Sequence, residues 1–189
     1  MITRAGAMTL SCIAVALLLA SGPARTAEST SDRRYSLPER GYFQVKAPAS
    51  WKDELRQPSE PVPPTILFGP GRGTSFAVLV TPVWRPRPDV PLPAKVELRQ
   101  RVERATEGIR SQAVEKRIDV VEFQGSSGPG FYFSATDKAP KPGEYKFMTQ
   151  GILTVAELLV TFTILTNDGR DAIVRDALEM LKSASHASR

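Results

Sequence analysis

Leu158-Leu159-Val160-Thr161-Phe162-Thr163-Ile164-Leu165-Thr166 is the stretch on which the reading of the fold turns. A strand with one wet face alternates apolar and polar residues. This run is almost continuous in apolar and β-branched side chains, which suits a central strand covered on both faces. Asn167-Asp168-Gly169 breaks it and opens a helix, with Asp168 as the expected N-cap and Asp171 as an acidic approximation to a capping box. Ile173, Val174, Ala177, Leu178 and Leu181 lay one apolar stripe along that helix.

Upstream, strand signals fall at residues 118–123, 131–136 and 145–155, divided by a Gly-rich turn and a Pro/Gly loop. Before them, Leu98, Val102, Ala105 and Ile109 mark one face of a helix over residues 94–112, which Gly108 weakens by about 1 kcal/mol relative to alanine. Earlier strands are expected at residues 42–47, 65–68 and 75–81. Residues 58–64 and 82–93 are proline-rich and read as a loop and an extended crossover. Short turns between neighbouring strands imply antiparallel pairing. The expected architecture is therefore α+β: a mostly antiparallel six- to seven-stranded sheet flanked by helices, an α/β/α sandwich.

The N-terminus has a different character. Arg4 precedes an apolar run, residues 8–20, and Ser21, Gly22 and Ala24 follow it. That run is shorter than the ~20 residues of a membrane span, so residues 1–24 read as a secretory signal peptide cleaved after Ala24. Cys12 lies inside the apolar run, so it is not a lipidation cysteine, and it is the one cysteine of the 189-residue chain. A processed protein then has no disulfide or thiolate site. Residues 25–40 read as a flexible lead-in, residues 41–184 as a single domain and residues 185–189 as a frayed tail. The location expected is periplasmic or secreted. With 25 Lys+Arg against 20 Asp+Glu, the charge is mild and scattered. Nucleic-acid binding calls for a clustered basic face, and none is expected. No membrane span is expected after signal cleavage.

Two stretches bring a family into view. Gly41-Tyr42-Phe43-Gln44-Val45-Lys46-Ala47-Pro48-Ala49-Ser50-Trp51 resembles the opening of the PsbP-like superfamily: a strand, a proline, small residues and a tryptophan. Phe162-Thr163-Ile164-Leu165-Thr166 running into a helix with Ala172, Ala177 and Leu181 is similar to its C-terminal portion. The superfamily includes the PsbP extrinsic subunit of photosystem II, a Ran-binding nuclear transport factor and exported bacterial proteins of unknown role. The resemblance spans roughly residues 41–184 and implies an antiparallel sheet between helices, with docking and assembly in place of a shared catalytic site. Metal contacts of some plant relatives find no counterpart, since residues 41–184 hold no histidine.

The residue inventory points the same way. His186, the single histidine, reads as an idle tail residue, and no serine sits in a nucleophile elbow. Ser126-Ser127-Gly128-Pro129-Gly130 lacks the lysine of a phosphate loop and reads as a hairpin turn. Trp51 and Trp84 read as plugs at the rim of a core. The candidate site is the loop Asp137-Lys138-Ala139-Pro140-Lys141-Pro142-Gly143-Glu144, with Tyr145 and Gln150 beside it and Tyr132 on the same patch. Asp137, Lys138, Lys141, Glu144, Tyr145 and Gln150 are the expected binding residues, because rigid scaffolds carry function on loops. Asp137 and Glu144 have two readings. They shape the loop through backbone amides and lysines, or they join Glu122 or Glu157 as carboxylates for acid/base or divalent-metal chemistry. The function expected is an exported, non-catalytic binding or assembly module for a protein partner, without a cofactor. The alternative is a carboxylate-based, divalent-metal-dependent enzyme.

Overall fold

The computed structural model describes residues 28–57, 62–85, 87, 89–167 and 170–188. The expected signal peptide, Cys12 and the Asp168 cap lie outside the described residues. The elements in chain order are β1 (Thr30–Leu37), β2 (Gly41–Pro48), β3 (Lys52–Arg56), β4 (Thr65–Gly69), β5 (Phe76–Trp84), α1 (Lys95–Ile109), β6 (Val121–Gln124), β7 (Pro129–Thr136), β8 (Phe147–Val155), β9 (Leu158–Thr166), α2 (Arg170–Lys182) and β10 (Ser185–Ala187). Seven strands form one antiparallel sheet in the order β3-β4-β5-β9-β8-β7-β6, and β1-β2-β10 form a second.

The central position of β9, between β5 and β8, explains its composition. Leu158, Val160, Phe162 and Ile164 point to one face and are buried. On that face they meet Phe68, Val78, Val80 and Leu153 of the large sheet, Phe43 and Val45 of the small sheet, and Leu181 of α2. Each such side chain contributes about 1.5–3 kcal/mol on leaving water, so this cluster dominates the fold. On the opposite face, Leu98 and Val102 of α1 pack on Phe131, Phe133 and Ala135 of β7, with Ile109, Met148, Ile152 and Leu159 half-buried beside them. The helices thus lie on opposite faces of the large sheet, as the sandwich requires.

The sandwich is asymmetric. One face is closed by α2 together with the small sheet. The other is covered by α1 over β7 and β8. Beyond α1 on that second face stand Leu67, Ala77, Leu79, Thr163 and Leu165, half-buried and outside both core clusters.

Several expectations are corrected. Residues 30–37 are no flexible lead-in: they form β1 and pair along their whole length with β2. Just two of its side chains, Tyr35 and Leu37, are buried, so the apolar signal is weak. The phenol of Tyr35 donates to Asp53 Oδ2 at 2.9 Å. Arg33 Nη2 donates to the Trp51 carbonyl at 3.4 Å, and its Nε lies 3.6 Å from Asp53 Oδ1. Burial raises the proton affinity of the Tyr35 phenol, and the bond to Asp53 raises it further.

Residues 185–187 are no frayed tail: they form β10 against β2, where Gly41, at φ +81, admits the Ala187 carbonyl into space a Cβ would fill. The strand at residues 41–48 therefore belongs to the small sheet, and the seventh strand of the large one is the charged edge strand β3. Charges along an edge discourage pairing with another chain. The crossover starts later than Pro82, because β5 runs to Trp84. β4 starts at Thr65, whose hydroxyl meets that of Thr81 at 2.7 Å. Pro82 therefore lies where β5 has β9 as its sole neighbour, a position that tolerates a missing N–H. Trp51 is 4% exposed and packs on Phe76 at 4.8 Å, as a rim plug should.

Candidate functional site

The loop after β7 is built by its own backbone chemistry. Lys141-Pro142-Gly143-Glu144 is a tight turn, with proline at its second position and Gly143 at φ +87 in the third, the pattern of a type II turn. Glu144 N donates to the Lys141 carbonyl at 3.0 Å, and Lys141 N donates to Glu144 Oε2 at 2.9 Å. Asp137 Oδ1 accepts from Ala139 N at 2.9 Å, an Asx turn at the loop's start. Asp137 N donates to the Lys146 carbonyl at 2.8 Å and closes the base. Both carboxylates are therefore engaged by main-chain amides, the loop-shaping reading of the two offered by the sequence.

The loop is also fastened to the end of α1. Lys138 N donates to the Gln112 carbonyl at 3.0 Å, and its ammonium donates to the Ser111 carbonyl. The last turn of α1 carries no basic residue of its own. Arg110 stands at its C-cap, and Lys138 holds the turn that follows, two to three residues past Ile109. Glu115 accepts from Thr136 N at 2.8 Å and from its hydroxyl at 2.7 Å, and Asn167 Oδ1 accepts from Lys146 N at 2.9 Å. The sequence does not show these roles of Glu115 and Asn167, because their partners are set by tertiary contact.

Tyr145 emerges as the centre of this end of the molecule. It lines a hollow of about 210 Å³ under the end of α1, together with Ile109, Ala135, Met148 and Leu165. It also lines a second hollow of about 370 Å³, shared with Lys52, Glu54, Leu67, Gly69 and Ala77. Tyr145 thus lies between α1 and the half of the sheet face that α1 leaves uncovered.

The remaining expected residues divide. Gln150 shares that sheet face through its pairing with Thr163 and Phe133, but it stands in mid-strand, about 16 Å from Tyr145 along the chain. Tyr132 points to the opposite face and packs edge-on to Phe123 at 5.8 Å, so it shares no patch with Tyr145. The carboxylates do not converge either. Glu157 sits in the β8–β9 turn, roughly the length of β8, ~26 Å, from the loop, beside Arg85 at 3.8 Å. Glu122 pairs with Lys95 at 2.6 Å on β6. Among the described residues, no three His, Cys, Asp or Glu side chains come together as a metal-holding group. Ser126 anchors a turn: its N–H donates to the Lys182 carbonyl at 2.8 Å and its hydroxyl to that of Ala184 at 2.6 Å. No helix among the described residues is long and apolar enough to cross a membrane.

No family model matches the sequence, and no curated protein matches it. Among solved structures, cyanobacterial PsbP (CyanoP) from Synechocystis sp. PCC 6803 superposes with a TM-score of 0.51 at 14% identity, over 89% of this chain and 99% of that one. The fold is PsbP-like. The antiparallel sheet between helices that residues 41–51 and 162–166 imply is the one observed. A protein from Bacteroides thetaiotaomicron overlaps more loosely, with a TM-score of 0.38 at 12% identity over 78% of this chain and 46% of that one. On the PsbP-like scaffold the Tyr145 site lies where the β7–β8 loop meets the end of α1.

Proposed function

We propose that this chain is an exported binding or assembly module. It docks a protein partner on the part of the large sheet that α1 leaves uncovered, with Tyr145 at the centre of the contact. The observation that carries this reading is the placement of Tyr145 between two hollows, on a loop held by its own turn bonds and by α1. A contact surface that is ordered before binding loses little entropy on association. A tyrosine offers a large apolar ring and a polar tip, the combination enriched at the centre of protein interfaces. Leu67, Ala77, Leu79 and Thr163 supply a flat, mostly apolar floor beside it, and Lys52 and Glu54 a charged rim. Export rests on the signal-like residues 1–24. A non-catalytic role is supported by carboxylates that serve the backbone and by the docking and assembly implied by the PsbP-like resemblance.

The test is a photocrosslinking residue installed at Tyr145 and, separately, at Arg101 on the exposed side of α1, in the exporting cell. The expected result is one adduct captured from position 145, absent from position 101, and lost when Leu67→Ser is added. Equal capture from both positions overturns the docking face. N-terminal sequencing of the purified protein checks export: a start at Arg25 in the periplasmic or secreted fraction is expected, and an intact Met1 in the cytosol overturns it.

A further inference from the structure

At the end of the large sheet opposite the Tyr145 site, the β1–β2 turn and the β8–β9 turn meet. Arg40, Trp84, Arg85, Glu157, Leu158 and His186 surround a hollow of about 90 Å³. A water molecule's share of the liquid is about 30 Å³, so the space suits about three waters or one compact ion. It is well below the ~300 Å³ of the smallest ordinary small-molecule sites. Two of its residues carry guanidinium groups and a third is the single histidine of the sequence, against one carboxylate.

The polar groups are held in place. His186 Nε2 lies 2.6 Å from the Arg40 carbonyl. That oxygen can only accept, so Nε2 carries the proton and the ring is held by β10 on one side and the Arg40 backbone on the other. Arg85 donates to the Val90 carbonyl at 3.4 Å, and its Nη2 lies 3.8 Å from Glu157 Oε2. Glu157 is a loose counter-ion, its side chain 68% exposed.

Tight hairpin turns bring these residues to the hollow. Among the described residues, the non-glycine positions with positive φ are Glu39, at 57°, and Ala156, at 49°. Glu39 precedes Arg40, and Ala156 precedes Glu157, so each strained residue adjoins the hollow. Arg40 N donates to the Leu37 carbonyl at 3.0 Å, closing a turn whose third residue, Glu39, stands where glycine is the relaxed choice. Ala156 likewise is the first residue of the two-residue hairpin loop between the paired Val155 and Leu158, where positive φ is the rule, so these tight turns fix where Arg40 and Glu157 stand.

We infer that this hollow binds one small oxyanion, a phosphate or a carboxylate, between Arg40 and Arg85 and next to His186, with Glu157 as the counter-ion it displaces. Guanidinium groups match the oxygens of both anions. Glu157 competes with the ligand for Arg85, so removing its charge strengthens binding.

The test uses the tag-free protein. Its single imidazole gives one Cε1–H resonance, a direct reporter at the site. Inorganic phosphate and sodium acetate are each titrated at ionic strength held constant with sodium chloride. A saturable shift with phosphate, acetate or both is expected, and the stronger of the two names the anion class. Arg85→Gln weakens it about tenfold or more, the loss of one charge-assisted contact. Glu157→Gln, on an exposed turn and checked by far-UV circular dichroism, tightens it. A shift that follows chloride equally well, or a Glu157→Gln variant that binds no tighter than wild type, overturns the inference. The second result stands on its own even where Arg85→Gln fails to fold.

Discussion

Tyr35 and Asp53 join the two sheets: the phenol of one donates to the carboxylate of the other at 2.9 Å. The bond ties β1 of the small sheet to β3 at the edge of the large one. It is reinforced by Arg33 beside the same carboxylate and by the edge-on contact of Tyr35 with Phe68 at 6.0 Å.

The phenol's raised proton affinity gives the clamp a pH signature. Above the ordinary tyrosine value of about 10, the unfolded chain loses the Tyr35 proton while the folded chain keeps it. The folded state then binds more protons, so stability is fully present below about pH 10 and falls above it, by up to about 1.4 kcal/mol per pH unit. Tyr35→Phe costs about 1–2 kcal/mol at pH 8, through the lost bond. Urea unfolding at pH 8 and pH 11 is expected to show the gap between wild type and Tyr35→Phe narrowing at the higher pH. A gap that stays constant contradicts the assignment.

Two glycines are expected to respond to alanine in opposite directions. A Cβ on Gly151 sits 2.5 Å from Phe162 Cζ and 2.7 Å from Tyr132 Cβ, and closer still to the Phe131 carbonyl. Gly151→Ala forces that buried contact apart and costs about 1–3 kcal/mol. Gly108 in α1 has open space where a Cβ would go. Gly108→Ala gains about 0.5–1 kcal/mol of helix propensity. Thermal unfolding of the pair reads both signs.

Neighbouring residues on β4 test the asymmetry of the sandwich. Phe68 is fully buried, and Leu67 beside it points to the half-covered face. Phe68→Ala is expected to cost about 3–5 kcal/mol. Leu67→Ala costs about 1 kcal/mol, because part of its surface is already in water. Equal losses in urea unfolding mean that the face is closed by something packed on it.

The carboxylates of the β7–β8 loop are expected to behave as turn formers. Asp137→Ala and Glu144→Ala each cost about 0.5–1 kcal/mol, a Tm change of a few degrees. Hydrogen exchange at Ala139 and Lys141 accelerates in the matching variant, since the lost carboxylate was the acceptor of that amide. Added Ca²⁺ leaves the wild-type Tm where it was. A Ca²⁺-dependent rise that both substitutions abolish restores the divalent-metal reading.

The parts of the fold legible in sequence are those with strong periodicity or long apolar runs. β9, both helices and the β7–β8 pair follow from pattern alone. β1 and β3 do not, because their strand character comes from pairing and not from burial. Every residue of β3 is exposed, and β1 buries two residues of eight. β10 has three residues, and its partner β2 lies some 140 positions earlier. The same distance hid His186, whose acceptor is Arg40. In the candidate site, the turn chemistry of Lys141-Pro142-Gly143-Glu144 was readable. The standing of Tyr145 between two hollows was not, since it depends on where α1 ends relative to β4 and β5.

The small sheet has a timing consequence. Its middle strand, β2, is flanked by β1, next to it in sequence, and by β10, which arrives after almost everything else. A chain made N-terminus first leaves one side of β2 unpaired until residue 187 has been added. The seven strands of the large sheet and both helices all precede β10 in the chain, so the small sheet is completed by the last element to become available.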